Sequence, residues 1–254
     1  MNITFLGTGT SQGVPMIGCS CPVCTSADPK DNRLRSSIWL QQDDTSVVID
    51  SGPDFRYQML RARVQTLDGI VFTHGHKDHV AGLDDVRAYN YWTQQNIDIF
   101  ANPDTEEILR REFQYAFSNI QYPGLPQLTI HSLTGQDFSV GSLHFQTIKV
   151  LHYKLEVFGY RIGDFTYITD ANYIAPEEMD KVRGSKILVL NALRHEKHIS
   201  HFTLAEAVDI AREIGAEQTY FTHISHQLGL HEEINASLPE GMFLAYDGLK
   251  LSAT

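Results

Sequence analysis

The run Thr73-His74-Gly75-His76-Lys77-Asp78-His79 constrains this chain more than any other feature. It follows the apolar run Gly69-Ile70-Val71-Phe72, so three imidazoles and a carboxylate crowd a turn at a strand end. That many polar side chains in a row are not core residues. An alternating His-x-His aims two rings at one ion, and the Asp-His that follows can serve a second. Histidine nitrogen and aspartate oxygen both suit zinc or a similar divalent cation. The plain alternative is a solvated polar loop, which needs no such spacing.

Two ions need more donors than one turn supplies, and other strand ends offer them. Asp170 follows Phe165-Thr166-Tyr167-Ile168-Thr169, His152 follows Phe145-Gln146-Thr147-Ile148-Lys149-Val150, and His223 follows Thr219-Tyr220-Phe221-Thr222. Taken singly, each is compatible with an ordinary polar residue at a strand end. A ligand type at each of four strand ends makes a joint case for metal.

Strand-like runs rich in Val, Ile, Phe, Tyr and Thr are predicted over 2–6, 36–41, 46–50, 69–73, 97–101, 143–150, 158–162, 165–169, 187–191, 218–222 and 244–246. A helix is expected to open at Pro103, with Ile108, Leu109, Phe113, Ala116 and Phe117 at helical spacing. Thr203-Leu204-Ala205-Glu206 has the capping-box form and Gly215 is the expected stop. A weaker third helix is placed over 83–95. Strands outnumber clear helices, which predicts an α+β architecture of two packed sheets with helices outside. No repeat or linker interrupts the chain, so 1–254 is read as a single domain.

At 42% hydrophobic and 20% charged, the 254 residues are ordinary for a globular protein with a core. No run is long and apolar enough to span a membrane, and Met1-Asn2-Ile3-Thr4-Phe5-Leu6-Gly7 lacks the pattern of a signal peptide, so a cytoplasmic protein is expected. The formal net charge of −11 disfavours binding to long nucleic acids, which rests on many cations meeting phosphates. A small anionic substrate stays compatible, because bound divalent metals reverse the local sign.

All three cysteines fall in Gly18-Cys19-Ser20-Cys21-Pro22-Val23-Cys24. An odd count packed so tightly is a poor disulfide framework. Three thiolates plus one further donor make a closed structural zinc site, and His226, three residues beyond His223, is the best fourth ligand. Three reduced, unliganded thiols are the alternative. His201, just before the capped helix, is the leading catalytic candidate outside the metals, because a phosphate there would meet an imidazole and helix-terminal amides together.

These motifs resemble the metallo-β-lactamase superfamily, whose THxHxDH signature stands here at 73–79. The resemblance implies an αββα sandwich with the site at one edge of the two sheets. It implies that His74, His76 and His152 bind one catalytic metal (Zn or Mn), that Asp78, His79 and His223 bind a second, and that Asp170 bridges them. Asp50, in Val48-Ile49-Asp50-Ser51-Gly52, resembles the superfamily's DxG element and is expected to support the metal loop. The cysteine loop combined with Thr222-His223-Ile224-Ser225-His226-Gln227 is similar to one subgroup, the PhnP-type cyclic phosphodiesterases that accompany carbon–phosphorus lyase. That likeness runs from Leu6 to Gly248 but does not extend convincingly over 89–133.

What it implies is hydrolysis of a small phosphodiester such as a ribosyl 1,2-cyclic phosphate. A metal-bridging hydroxide would be the nucleophile, Asp78 would orient it, and His201, in an HxT-like element, would contact the phosphate or protonate the leaving oxygen. Three alternatives stand beside this: an RNA-processing nuclease of the same superfamily, a thioester or lactam hydrolase, and a non-catalytic zinc protein that binds a metabolite or partner. A homodimer is an expectation of the resemblance alone.

Overall fold

The run Ile187-Leu188-Val189-Leu190-Asn191 is buried at every position. A strand can be apolar on both faces only when both are covered. Here Ile187 and Val189 point into the space between two sheets, while Leu188 and Leu190 point at helices. Val47, Val48 and Ile49 repeat the pattern in the other sheet, with Val48 on the helical side.

The computed structural model describes residues 1–118 and 124–253. In chain order the strands are β1 (Asn2–Gly7), β2 (Ser37–Gln42), β3 (Thr45–Ile49), β4 (Gly69–Val71), β5 (Ile97–Ala101), β6 (Leu128–Ser132), β7 (Phe138–Val140), β8 (Leu143–His152), β9 (Leu155–Ile162), β10 (Phe165–Ile168), β11 (Tyr173–Ile174), β12 (Ile187–Asn191), β13 (Gln218–Thr222), β14 (Met242–Leu244) and β15 (Lys250–Ser252). The helices are α1 (Phe55–Ala62), α2 (Lys77–Val80), α3 (Arg87–Thr93), α4 (Pro103–Glu112), α5 (Pro176–Val182), α6 (Leu204–Ile214) and α7 (His231–Ser237).

One sheet runs β15-β1-β2-β3-β4-β5-β6, and the other runs β11-β8-β9-β10-β12-β13-β14, with β7 paired to β8. Each sheet is antiparallel in one half and parallel in the other: β3-β4-β5-β6 and β10-β12-β13-β14 are the parallel halves. A core that includes Phe5, Ile38, Phe158, Tyr167 and Val189 fills the space between the sheets. Outside one sheet, Phe55, Met59, Val80, Val86 and Leu109 pack from the helices; outside the other, Met179, Leu204, Ala207 and Ala211 do. This is the expected αββα sandwich of two mixed sheets. No helix among the described residues is long and apolar enough to cross a membrane.

Local signals account for most elements. Thr203 caps α6 through a complete capping box with Glu206, and Gly215 ends it at φ 71°. The helix expected from Pro103 stops at Glu112, because Phe113 leaves helical geometry at φ −113°, ψ 38° and only a short 3-10 turn follows over Gln114–Phe117. The helix placed over 83–95 is split into a 3-10 turn, Leu83–Val86, and α3. The last predicted strand lies earlier than expected, at Met242–Leu244. Residues 245–248 instead turn the chain back along β1, where Gly248 donates to the Phe5 carbonyl.

Candidate metal centre

The parallel halves place several strand ends on one edge, and at three of them the chain turns sharply. Asp50 after β3, Asp170 after β10 and His223 after β13 have φ of 64°, 55° and 56°. Non-glycine residues adopt this left-handed region at a cost of order 1–3 kcal/mol each, and the surrounding contacts must hold them there. Here the backbone of Ala171, next to Asp170, is clamped from both sides by the Asn191 amide at 2.8 and 2.9 Å. Ile224, next to His223, donates to the Thr8 carbonyl and accepts from the Thr10 amide. The bends turn two carboxylates and an imidazole toward the loop that follows β4.

That loop folds so that α2 carries Asp78 and His79. The donor atoms of His74, His76 and His152 lie within 4.8 Å of one another, as do those of Asp78, His79, Asp170 and His223. Asp170 belongs also to a third set with His152 and His201. Its Oδ2 lies 3.3 Å from His79 Nε2 and 3.2 Å from His223 Nδ1, while Oδ1 lies 3.1 Å from His201 Nε2. The carboxylate stands between the two donor groups. His74 Nε2 and His76 Nδ1 are 3.0 Å apart.

The outer contacts hold these side chains by their other ends. Asp50 Oδ1 accepts from the Thr73 amide at 2.8 Å, and Oδ2 accepts from Thr73 Oγ1 at 2.8 Å and faces His79 Nδ1 at 2.7 Å. His152 Nδ1 donates to the Ser200 carbonyl at 2.8 Å. Thr169 Oγ1 donates to Asp170 Oδ2 at 2.7 Å. Ser36 Oγ lies 3.2 Å from His223 Nδ1, and Thr10 Oγ1 lies 3.3 Å from His223 Nε2. Histidines fixed through a second nitrogen keep one orientation, as metal-binding histidines commonly do.

The electrostatics call for a cation. Asp50, Asp78 and Asp170 are three carboxylates in a nearly dry space, where unpaired charge is expensive. Burial alone drives the His79 ring down, yet Asp78, Asp170 and Asp50 outweigh it and hold its pKa well above the ordinary value. Burial opposes ionisation of Asp170 and Asp78 as well; His223 and His79 beside Asp170, and His79 beside Asp78, overcome it and keep both below the carboxylate range. Asp50, wholly buried, is pushed up by burial. Burial pushes His74 well down, His152 down and His223 down to about 4, leaving neutral rings with a free lone pair. His79 Nε2 is buried with no hydrogen-bond partner, 3.2 Å from Asp78 Oδ2. A polar atom orphaned among carboxylates fits a metal ligand, so the residues present suit divalent cations.

Cys19 Sγ and Cys21 Sγ approach His226 Nδ1 at 3.5 and 3.3 Å, and all three cysteine sulfurs group with it. No cysteine is in a disulfide. The Cys24 amide donates to Cys21 Sγ, and the Met16 amide donates to Cys24 Sγ. The His226 contact draws the Cys21 thiol down to about 6, while burial pushes Cys24 up to about 11. This donor set suits a tetrahedral zinc.

His201 is 9% exposed and faces the centre through Nε2. Its Nδ1 lies 3.0 Å from His198 Nδ1 and 3.1 Å from Ser200 Oγ. Every residue singled out for these sites therefore lies in one of the clusters or against it. Sequence reasoning assigned no role to Thr10, Ser36, Ser200 or Asn191. Only Thr10 carried a signal, sitting in the Gly/Thr/Ser run that follows β1.

A profile of the β-lactamase superfamily domain matches residues 45–224. A solved structure described as a new diphosphatase from the PhnP family superposes with a TM-score of 0.94 at 44% identity, covering 100% of this chain and 98% of that one. An octanoyltransferase of Porphyromonas gingivalis is 36% identical over 98% of this chain and 51% of its own length. A ribonuclease Z of Nostoc punctiforme is 26% identical over 65% of this chain and 47% of its own length. The chain thus spans about half the length of these curated relatives. It belongs to the β-lactamase superfamily and, within it, to the PhnP family.

Proposed function

We propose that the chain is a dinuclear metal-dependent phosphodiesterase acting on small phosphodiesters, with a ribosyl 1,2-cyclic phosphate among the substrates to test first. The observation that carries this reading is the orphaned His79 Nε2 between Asp78 and Asp170, beside a second trio of His74, His76 and His152. His74, His76 and His152 would hold one cation, Asp78, His79 and His223 the other, and Asp170 would touch both. Two such cations would supply Lewis acidity and a water of lowered pKa, with Zn and Mn equally suited to the donors.

The chain's own residues do the rest. Asp50 locks His79 and the Thr73 backbone, so the loop reaches its geometry before substrate arrives. Asp78 is 11% exposed at its side chain and stays ionised, placed to orient the attacking water. His201, held by Asp170 on one side and by His198 and Ser200 on the other, can contact the phosphate or hand its Nε2 proton to the departing oxygen. Cys19, Cys21, Cys24 and His226 would hold a structural zinc that pins the N-terminal loop beside the strand carrying His223.

The resemblance to a PhnP-family diphosphatase over almost the whole of both chains supports a small phosphoester over a tRNA precursor, and the net charge of −11 points the same way. This reading takes 1–254 as one catalytic domain working in the cytoplasm, where the thiols stay reduced. The test is a panel of cyclic phosphates, bis-p-nitrophenyl phosphate, diphosphate esters and a tRNA precursor, run with Zn or Mn and paired with elemental analysis. Turnover of small diesters with three metals per chain is expected. Faster cleavage of the tRNA precursor would replace the reading with a nuclease, and a single zinc without turnover would replace it with a scaffold.

A further inference from the structure

His201 and its neighbours His198 and Ser200 sit on an irregular loop, 195–201, between β12 and α6. The feet of that loop are fixed. The Leu193 amide donates to the Phe202 carbonyl and the Leu204 amide to the Arg194 carbonyl, so the two ends meet. The Phe202 amide also donates to the carbonyl of Ala171, next to Asp170. The amide of Ser225, two residues past His223, donates to the Leu193 carbonyl.

Between its feet the loop does not hold itself. Among the described residues, no backbone–backbone hydrogen bond reaches 195–201. Side chains take its carbonyls instead. His152 Nδ1 donates to the Ser200 carbonyl at the far end. At the near end the Arg194 guanidinium donates through Nε to the Glu196 carbonyl at 3.3 Å and through Nη2 to the Lys197 carbonyl at 3.4 Å. Its Nη1 donates to Gln227 Oε1 at 2.8 Å.

Arg194 spends its donors unusually. Arg35, Arg61 and Arg183 pair with carboxylates, whereas Arg194 serves three uncharged oxygens and makes no ion pair among the described residues. A planar fork that meets three acceptors fixes them in one geometry, which a lysine ammonium cannot do. Gln227 is itself anchored, since its amide donates to Ser225 Oγ at 3.2 Å. Arg194 thus references the loop to the segment that carries both His223 and His226. A loop with few bonds of its own opens easily, and a displacement of 1 Å at a reacting group costs about 100-fold in rate.

We propose that Arg194 is a positioning residue for departure of the leaving group, its guanidinium tying the 195–201 loop to Gln227 and so holding His201 within reach of the departing oxygen. This rests on His201 serving a phosphodiester's leaving oxygen. Metal-loaded Arg194→Ala is compared with wild type on two diesters. A ribosyl 1,2-cyclic phosphate releases an alkoxide that needs a proton, whereas bis-p-nitrophenyl phosphate releases a stable phenolate that does not. The kcat on the first should fall about 100-fold and on the second less than about 5-fold, with KM little changed and bound metal as in wild type. Arg194→Lys keeps the charge without the fork and should stay within about 5-fold of the alanine variant. Trypsin supplies a readout apart from turnover, because Lys197 is an exposed cleavage site on the loop. Nicking after Lys197 should be at least about 10-fold faster in metal-loaded Arg194→Ala. Equal slowing of both diesters, loss of bound metal, full rescue by Arg194→Lys or unchanged nicking overturns the proposal. A wild type that cleaves neither diester removes the phosphodiesterase reading and the leaving-group role with it, while the nicking rates still show whether Arg194 holds the loop.

Discussion

His79 commits one ring nitrogen to Asp50, 2.7 Å away, and holds the other in a dry space between Asp78 and Asp170 with no hydrogen-bond partner. The pairing fixes which nitrogen faces the centre. A residue outside the donor groups thereby sets the geometry within them.

Asp50→Asn tests that link. The amide keeps the shape but loses the charge that orients His79 and the second acceptor for Thr73. Metal affinity should fall by about 10–100-fold, the usual effect of removing a ligand's outer partner, with the protein still folded. Calorimetric titration of the metal-free protein with zinc checks it; unchanged affinity would show that Asp50 serves folding alone.

Gly52 supports the same loop from the other side. A Cβ there would lie 2.1 Å from the Asp78 carbonyl oxygen, a contact that backbone makes impossible without displacement. Gly52→Ala should push α2 away from the end of β3 and cost about 1–3 kcal/mol as an overpacked site. It should also lower metal affinity, since Asp78 and His79 ride on α2. Thermal melts with and without zinc distinguish the two effects, and a variant matching wild type in both would refute the close-contact argument.

His76 is the exposed member of its trio, so its loss costs little core packing. His76→Ala should retain the wild-type melt of the metal-free protein while phosphodiester turnover drops by more than about 100-fold. Turnover within a few-fold of wild type would remove His76 from the metal assignment.

Much of this arrangement was legible because the candidate donor residues sit next to strands. The apolar run before Thr73 placed His74 to His79 at a strand end, and the runs before Asp170 and His223 did the same. The capping box of α6 was legible because Thr203 and Glu206 act within one turn. What stayed hidden is what depends on distant pairing. Ser36 reaches His223 from 187 positions away, and Ser200 serves His152 through a backbone carbonyl that any residue type would offer. Helix α1 escaped notice because only Phe55, Gln58 and Met59 are buried on it, too sparse a stripe to show helical periodicity. The exposed Tyr57 and Leu60 blur it further.

Cys21→Ser addresses the second cluster. Removing one thiolate from the Cys19, Cys21, Cys24 and His226 set should release one zinc per chain by elemental analysis and lower the melting temperature, because a closed structural zinc contributes folding energy directly. Loss of turnover should follow the loss of folded protein and not precede it. A variant with full zinc and an unchanged melt would leave the cysteines as unliganded thiols.

His231, at the start of α7, is 4% exposed and packs against the buried Arg33. The Arg33 guanidinium donates to His231 Nδ1 at 3.0 Å, so that nitrogen carries a lone pair and the ring is neutral. Burial first, then the positive charges of Arg33 and Lys30, push its pKa down to about 4. In the unfolded chain the ring takes a proton near pH 6.5. Between about 6.5 and 4 the unfolded state therefore binds more protons, and stability rises with pH across that window and is lost as pH falls. The full shift corresponds to about 3 kcal/mol, and solvent screening reduces that to about 1–2. His231→Gln keeps an acceptor for Arg33 without a titrating group. Its stability should fall less than that of the wild type between pH 7 and pH 4.5, measured by urea unfolding of the metal-free protein so that ligand protonation acts equally on both. Parallel curves would show that His231 is already protonated in the fold, or that its proton is not linked to folding.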